Sequence, residues 1–273
     1  MNWDLLSILV CPACRGTLIE TAAVLRCENC GENFPVINGI PVFLREPVEV
    51  VPVEHESNAL GSEFEELLAR GQDLTLHLGA GGTARRHRNC VEFEHKIFRH
   101  TDVVGDAHAL PFRNDVFDRA FAFNVFEHLR QPSLAAREIH RVLRPGGSLV
   151  LHTAFLQPLH EAPHHYFNAT EYGVREWFRD FEIEKCEVSG NFSPGFMLGF
   201  LSASLLDALQ ESGLQMAEQA RIADTRLGQW AEFWRRKTET PPGFGALLAL
   251  PQGLQKRLAT GFELRASKRP EIR

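Results

Sequence analysis

The chain has 273 residues, too many for one small domain and few for three, and 44% of them are apolar, enough for a sizeable buried core. A formal net charge of −6, with acids and bases interleaved, excludes a broad basic footprint for nucleic acid. No run of about 20 apolar residues is present to span a membrane, and the first ten residues, which include Asp4, lack the pattern of a secretory signal, so a cytoplasmic protein is expected.

Residues 1–46 hold four of the six cysteines, as Cys11-Pro12-Ala13-Cys14 and Cys27-Glu28-Asn29-Cys30, with twelve residues between the pairs. Each Cys-x-x-Cys is a tight knuckle that presents two thiolates to one ion. Four thiolates complete a tetrahedral shell with no open position, so a structural zinc ribbon is expected with Cys11, Cys14, Cys27 and Cys30 as ligands. Cys90 and Cys186 lack this spacing and read as packed thiols. Residues 47–66, acidic and containing Pro47 and Pro52, read as a linker.

Residues 67–190 alternate apolar strands with helices, the pattern of a parallel α/β sheet. Strands are expected at 74–78, 91–94, 102–106, 119–124 and 148–154, with a sixth at 181–188, where apolar and polar residues alternate. A helix over Ser133–Leu143 takes Ser133 as its cap and Ala135, Ile139, Val142 and Leu143 as its apolar face. Arg144-Pro145-Gly146-Gly147 stops it. Thr170 caps a second helix with Val174, Trp177 and Phe178 inward. Residues 191–273 read as a helical extension. Within it, Phe192–Leu209 reads first as a helix packed on the core and second as a lid or lipid-binding segment. Arg235-Arg236-Lys237 reads as solvated surface.

The first strand ends in Gly79-Ala80-Gly81-Gly82, where bare backbone allows a ligand to approach closely at the C-terminal edge of the sheet. Glu94 ends the second strand, where an acid can accept both hydroxyls of a ribose, and Asp106 ends the third, placed to face an adenine amino group. A dinucleotide-binding dehydrogenase is disfavoured, because Arg85 and Arg86 stand where its third glycine would be sought.

Two resemblances follow from these stretches. Leu5–Cys14 together with Phe34–Val42 resembles the small zinc-ribbon proteins that activate RNA and protein methyltransferases. That implies a stabilising or substrate-presenting module over about residues 3–46. His77–Gly81, Asp102–Phe112, Phe126-Glu127-His128-Leu129 and Glu138–Gly147 resemble the class I S-adenosylmethionine-dependent methyltransferases, especially the ubiquinone-methyltransferase-like group, over about residues 72–190. The implied fold is a Rossmann-like α/β methyltransferase sheet between the zinc ribbon and the helical extension, and the implied cofactor is S-adenosyl-L-methionine. By that resemblance Gly79, Ala80 and Gly81 line the methionine part of the cofactor, Glu94 holds the ribose, Asp106 and Ala107 flank the adenine, and Asn124 sits beside the sulfonium. His77 stands where the family usually carries an acid that helps hold the cofactor's amino group. An imidazole cannot supply that charge, so another group must. Only eight residues separate Gly82 from Val91, so one short turn of helix is expected there.

Methyl transfer is an in-line displacement in which the enzyme aligns the nucleophile and excludes water; a base helps only where the acceptor must lose a proton. Loops after the fifth strand usually shape the acceptor pocket, and 160–170 is rich in imidazoles. His164, His165 and Tyr166 are therefore candidates to orient or deprotonate an acceptor, with His128 beside the expected methyl. Against this stands a packed loop in which His164 and His165 cap the following helix. A catalytic metal at His160, Glu161, His164 and His165 is the least favoured reading, and His108 is expected to pack beside the cofactor. The leading function is methyl transfer to a small-molecule, lipid or saccharide acceptor. An RNA or protein acceptor is the second reading, and a non-catalytic zinc-ribbon regulator the third.

Overall fold

The computed structural model describes residues 5–236, 240–258 and 260; Lys237 of the basic run lies outside them. The chain forms two compact units, Met1–Phe155 with His164–Glu187, and Leu156–Pro163 with Val188–Arg273.

The first unit begins with one helical turn, α1 (Leu5–Ile8), and a four-stranded antiparallel ribbon made of β1 (Leu18–Thr21), β2 (Val24–Cys27), β3 (Asn33–Ile37) and β4 (Ile40–Pro41), in that order. The β3–β4 link is the two-residue turn Asn38-Gly39. Both residues have positive φ (53° and 80°), the backbone that matches strand twist in a tight hairpin and that Asn-Gly adopts at least cost.

The ribbon does not fold on its own core. Leu9, Leu18, Leu25, Phe34 and Phe43 belong to the same continuous apolar cluster as Phe93, Phe112 and Phe117. Backbone pairs fasten it: Val42 bridges Val104, the Phe43 amide donates to the Val104 carbonyl (2.8 Å), Leu9 bridges Phe112, and the Val10 amide donates to Pro111 (2.9 Å).

The main sheet is fully parallel, in the order β7 (Val103–Val104), β6 (Cys90–Glu94), β5 (Thr75–Leu78), β8 (Phe117–Phe123), β9 (Leu143–His152). β5 and β6 are buried along their whole length, as expected of parallel strands covered on both faces. On one face α2 (Ser62–Ala69) sets Phe64 edge-on to Phe121 and buries Leu68. Between β8 and β9 runs α3 (Pro132–Val142), which buries Ala135, Ala136, Ile139 and Val142. α4 (Glu171–Trp177) is capped as expected: the Thr170 hydroxyl accepts from the Gly173 amide (3.2 Å), and Val174, Trp177 and Phe178 pack on the core.

Four expectations need correction. The cap position of α3 is Gln131, with Pro132 in the first helical position and Ser133 already inside the helix; proline's fixed φ suits that position. Residues 82–89 contain bends and turns but no helical turn. Residues 181–188 form no strand: Phe181 and Ile183 pack against the core, but no neighbouring strand pairs with them. In the second unit, α5 (Pro194–Glu211) is a helix, but most of its large apolar side chains are exposed. Phe196 is 64% exposed, and the buried residues are Ser204, Ala208 and Leu209. Ala208 shares a small cluster with Leu250 and Leu254, because its short side chain allows a close approach.

The rest of the second unit is α6 (Met216–Ala223), α7 (Leu227–Arg236), α8 (Phe244–Leu248) and α9 (Gln252–Leu258). No helix of the described residues is long and apolar enough to cross a membrane.

Candidate functional site

The C-terminal rim of the parallel sheet carries the expected glycine turn. Gly79 and Gly81 both have positive φ (66° and 67°). A Cβ on Gly79 would meet Val125 at 2.2 Å, and one on Gly82 would meet the His55 carbonyl at 2.3 Å. The turn is therefore bare partly because its own chain crowds it. Residues 55–58, within the stretch read as a linker, overlie it: the Gly82 backbone amide donates to the Ser57 hydroxyl (2.9 Å), and the Asn58 side-chain Nδ2 donates to the Gly79 carbonyl (3.1 Å).

Glu94, at the end of β6, is buried at the floor of the turn and accepts from the Gly81 amide (2.6 Å) and the His95 amide (3.1 Å). Asp106, past β7, is exposed; the His108 imidazole beside it holds its carboxyl below the usual range. Ala80 and Ala107 are buried next to them. Asn124 follows β8 in a left-handed conformation (φ 55°), and its amide donates to the His152 carbonyl (2.9 Å). Gly79, Ala80, Gly81, Glu94, Asp106, Ala107 and Asn124 thus all lie at strand ends on one edge.

His77 does not join them. Its side chain points to the opposite face of β5, fully buried with its ring edge-on to Phe121 and Phe123. Neither ring nitrogen has a hydrogen-bond partner among the described residues. Burial drives its pKa down to about 4, so it stays neutral. The parity of the strand places this ring among Phe121 and Phe123, which Phe64 of α2 covers.

The histidine-rich loop meets the same rim. Phe126–His128 form a single 3-10 turn after β8, and the Glu127 carbonyl accepts from the Tyr166 and Phe167 amides (2.8 and 3.2 Å). The Glu127 side chain is fully buried and accepts from the Thr153 hydroxyl (2.8 Å). His128 Nδ1 donates to the His164 carbonyl (2.9 Å), which can only accept. His165 stacks edge-on at 5.7 Å from His128, and its Nε2 donates to the Phe167 carbonyl (3.2 Å). Tyr166 Oη receives Arg130 Nε at 3.0 Å and lies 3.3 Å from His164 Nδ1. His128, His164, His165 and Tyr166 are therefore brought together. Thr170, not either histidine, caps α4. His160 and Glu161 belong to the second unit.

The four paired cysteines converge. Cys11 and Cys30 sulfurs lie 3.7 Å apart and those of Cys14 and Cys27 3.4 Å apart; all four ligand atoms fall within 4.8 Å of one another. These separations are far beyond a disulfide bond. They lie at or a little below the roughly 3.8 Å edge of a tetrahedron whose centre lies about 2.3 Å from each sulfur. Burial pushes the Cys11 thiol up to about 12, and a hydrogen bond from Asn29 draws Cys14 down to about 6.

Residues that the sequence did not flag also shape this region. Ser57 and Asn58 cover the glycine turn, Thr153 anchors Glu127, and Arg130 holds Tyr166. None belongs to a spaced motif; only the fold brings them in. Arg15, in the first cysteine knuckle, donates to the Leu110 carbonyl (2.6 Å) and to Glu138 on α3 (2.7 Å). It thereby ties the cysteine cluster to the loop after Asp106.

A family model described as a methyltransferase domain matches residues 79–151, and a Trm112p-like model matches residues 4–39. The UPF0434 protein of Methylobacillus flagellatus is 40% identical over 58 residues, which are 20% of this chain and 97% of that protein. A UPF0434 protein of Legionella pneumophila (strain Corby) is 39% identical over 56 residues, 20% of this chain and 95% of that protein. Among solved structures, the [4+2]-cyclase SpnF aligns with 55% of this chain and 68% of its own at 23% identity and a TM-score of 0.40. A complex containing the Haloferax volcanii Trm112 methyltransferase activator aligns with 43% of this chain and 66% of its own at 22% identity and a TM-score of 0.31.

The parallel sheet with its glycine turn and the ribbon with its four cysteines therefore define a methyltransferase that carries a Trm112-like zinc-ribbon module. Through that module, which covers nearly the full length of its short relatives, the chain belongs to the UPF0434 family.

Proposed function

We propose that this protein transfers the methyl group of S-adenosyl-L-methionine to a small-molecule, lipid or saccharide acceptor, and that zinc fills the four-cysteine cluster as a structural ion. The observation that carries the first part is the convergence on one sheet edge of a bare-backbone turn and two carboxylates, Glu94 and Asp106. Glu94 has one backbone donor on each oxygen, and a carboxylate oxygen accepts two, so the acid keeps acceptor capacity for a ribose diol. The exposed Asp106 carboxylate suits an exocyclic amine. The bound cofactor would supply an electrophilic sulfonium methyl. Everything else is the work of this chain: the glycine turn holds the methionine part, Asn124 borders the reacting centre, and segment 55–58 covers the turn against water. His128, oriented through the His164 carbonyl, is the candidate base for the proton of an acceptor hydroxyl or amine.

Zinc is supported by sulfur spacings that match a tetrahedral thiolate shell closed to a fifth ligand. Metal analysis of the purified protein should give one equivalent of zinc, lost in Cys27→Ser. Titration calorimetry with S-adenosylhomocysteine tests the cofactor. Glu94→Ala should weaken binding by about 1–3 kcal/mol through lost charged hydrogen bonds, with His77→Gln leaving it unchanged. Equal binding by wild type and Glu94→Ala removes Glu94 from the site and the reading with it.

A further inference from the structure

We propose that Arg130 is an anion-binding residue for the acceptor, so that the acceptor carries an oxyanion, a carboxylate or a phosphate, near the atom that is methylated. The inference rests on the reading of the rim as a methyl-transfer site.

Arg130 stands six residues after Asn124, between two parts of that rim. On one side, the amide of the next residue, Gln131, donates to His108 Nε2 (3.2 Å), and His108 is bound to Asp106. On the other, Arg130 Nε donates to Tyr166 Oη (3.0 Å), with the guanidinium carbon 5.7 Å from the centre of the tyrosine ring. Tyr166 is in turn in contact with His164, whose carbonyl orients His128. One guanidinium therefore lies within a short chain of contacts from both the adenine acid and the candidate base.

Arg130 is exposed, and its charge is not paired within the protein. Tyr166 is its sole partner among the described residues, and no carboxylate there neutralises it. The acids of this rim are engaged elsewhere: Asp106 with His108, and Glu127 buried against Thr153. Nearby Arg141 and Arg15, by contrast, are both paired with Glu138. Gripped through Nε, Arg130 keeps four N–H donors on its two terminal nitrogens. They lie in the planar fork that meets two oxygens of a carboxylate or phosphate at once. A neutral apolar acceptor seated here would strip water from the exposed guanidinium without replacing it, and a cationic one would be repelled.

The test uses the full-length protein, alone and saturated with S-adenosylhomocysteine, titrated with benzoate, its neutral isostere benzamide, and inorganic phosphate. Benzoate or phosphate should bind at least about ten-fold more tightly than benzamide, and Arg130→Gln should abolish that preference, with Arg130→Lys intermediate. Whichever anion binds better identifies the group. S-adenosylhomocysteine affinity in Arg130→Gln should match wild type, which separates this subsite from the cofactor site. If the anions bind no better than benzamide to the wild type, or if Arg130→Gln keeps the preference, the subsite is refuted even where the cofactor binds as proposed. Loss of cofactor binding in the wild type refutes the methyl-transfer reading, while the titrations on the protein alone still judge Arg130.

Discussion

The two flanks of the parallel sheet are built by different physics. On the β8–β9 side, α3 covers the sheet with a stripe of Ala135, Ala136, Ile139 and Val142, all buried, and apolar contact does the work. On the β5–β6–β7 side no helix links β5 to β6. The loop 82–89 is held instead by polar contacts to buried acids: the Thr83 hydroxyl donates to Glu92 (2.7 Å), the Glu92 amide donates to Asp102 (2.9 Å), and Arg86 pairs with Asp102. The free edge beyond β7 is closed by the cysteine ribbon rather than by another strand of the sheet. A methyltransferase sheet thus tolerates the loss of a crossover helix where a second module and a set of buried carboxylates take over its covering role.

If the ribbon is part of that covering, stripping the proposed zinc should reach the sheet. In small zinc modules the metal supplies on the order of 10 kcal/mol of folding energy. The ribbon's Leu9, Leu18, Leu25 and Phe34 lie in the same core as Phe93, Phe112 and Phe117. Chelation or Cys27→Ser should therefore lower the single melting transition followed by circular dichroism by more than about 10 °C. Two separate transitions, with the upper one unmoved, would show that the ribbon is a passenger. The helix-covered flank should fail in the ordinary apolar way. Ile139→Ala removes a fully buried side chain and should cost about 2–5 kcal/mol in urea unfolding, with little dependence on pH between 5 and 8. A loss confined to acid or alkaline conditions would mean that charge, not packing, holds that flank too.

The sequence was most legible where chemistry fixes spacing. Two Cys-x-x-Cys pairs twelve residues apart define the cluster, and the strand–glycine–strand–acid order puts Glu94 at the turn. Thr170 marks a helix start where expected, whereas α3 already ends at Val142 and Gly146 lies inside β9. It was least legible where tertiary context decides. Residues 181–188 have the alternation of a strand, but a strand also needs a paired neighbour, which no local pattern reports. His77 aligns with a cofactor-binding acid in the linear motif, yet strand parity turns it into an aromatic box with Phe121 and Phe123. α5 has the composition of a core helix, but it buries only Ser204, Ala208 and Leu209 and leaves Phe196 exposed. Ser57, Asn58 and Arg130 became visible only once the fold carried them to the rim.

The smallest effect concerns the charged flank and separates it most sharply from the other. Glu92 is buried in β6; its burial raises its pKa to about 7, although Thr83 donates to it and Arg86 lies near. A folded pKa above the ordinary value of about 4.5 means that the native protein binds a proton the unfolded chain releases. Glu92 then favours the fold fully below about pH 4.5, and its contribution is lost as pH rises through about 7. Glu92→Gln keeps the acceptor for Thr83 and removes the titration. The variant should match wild type near pH 5 and exceed it by on the order of 2 kcal/mol at pH 8, where wild type must bury a carboxylate anion. Urea midpoints measured across that range check both the sign and the window. A variant weaker than wild type at pH 8 would show that the charged carboxylate, not the neutral acid, holds the helix-less loop in place through its neighbours Thr83 and Asp102.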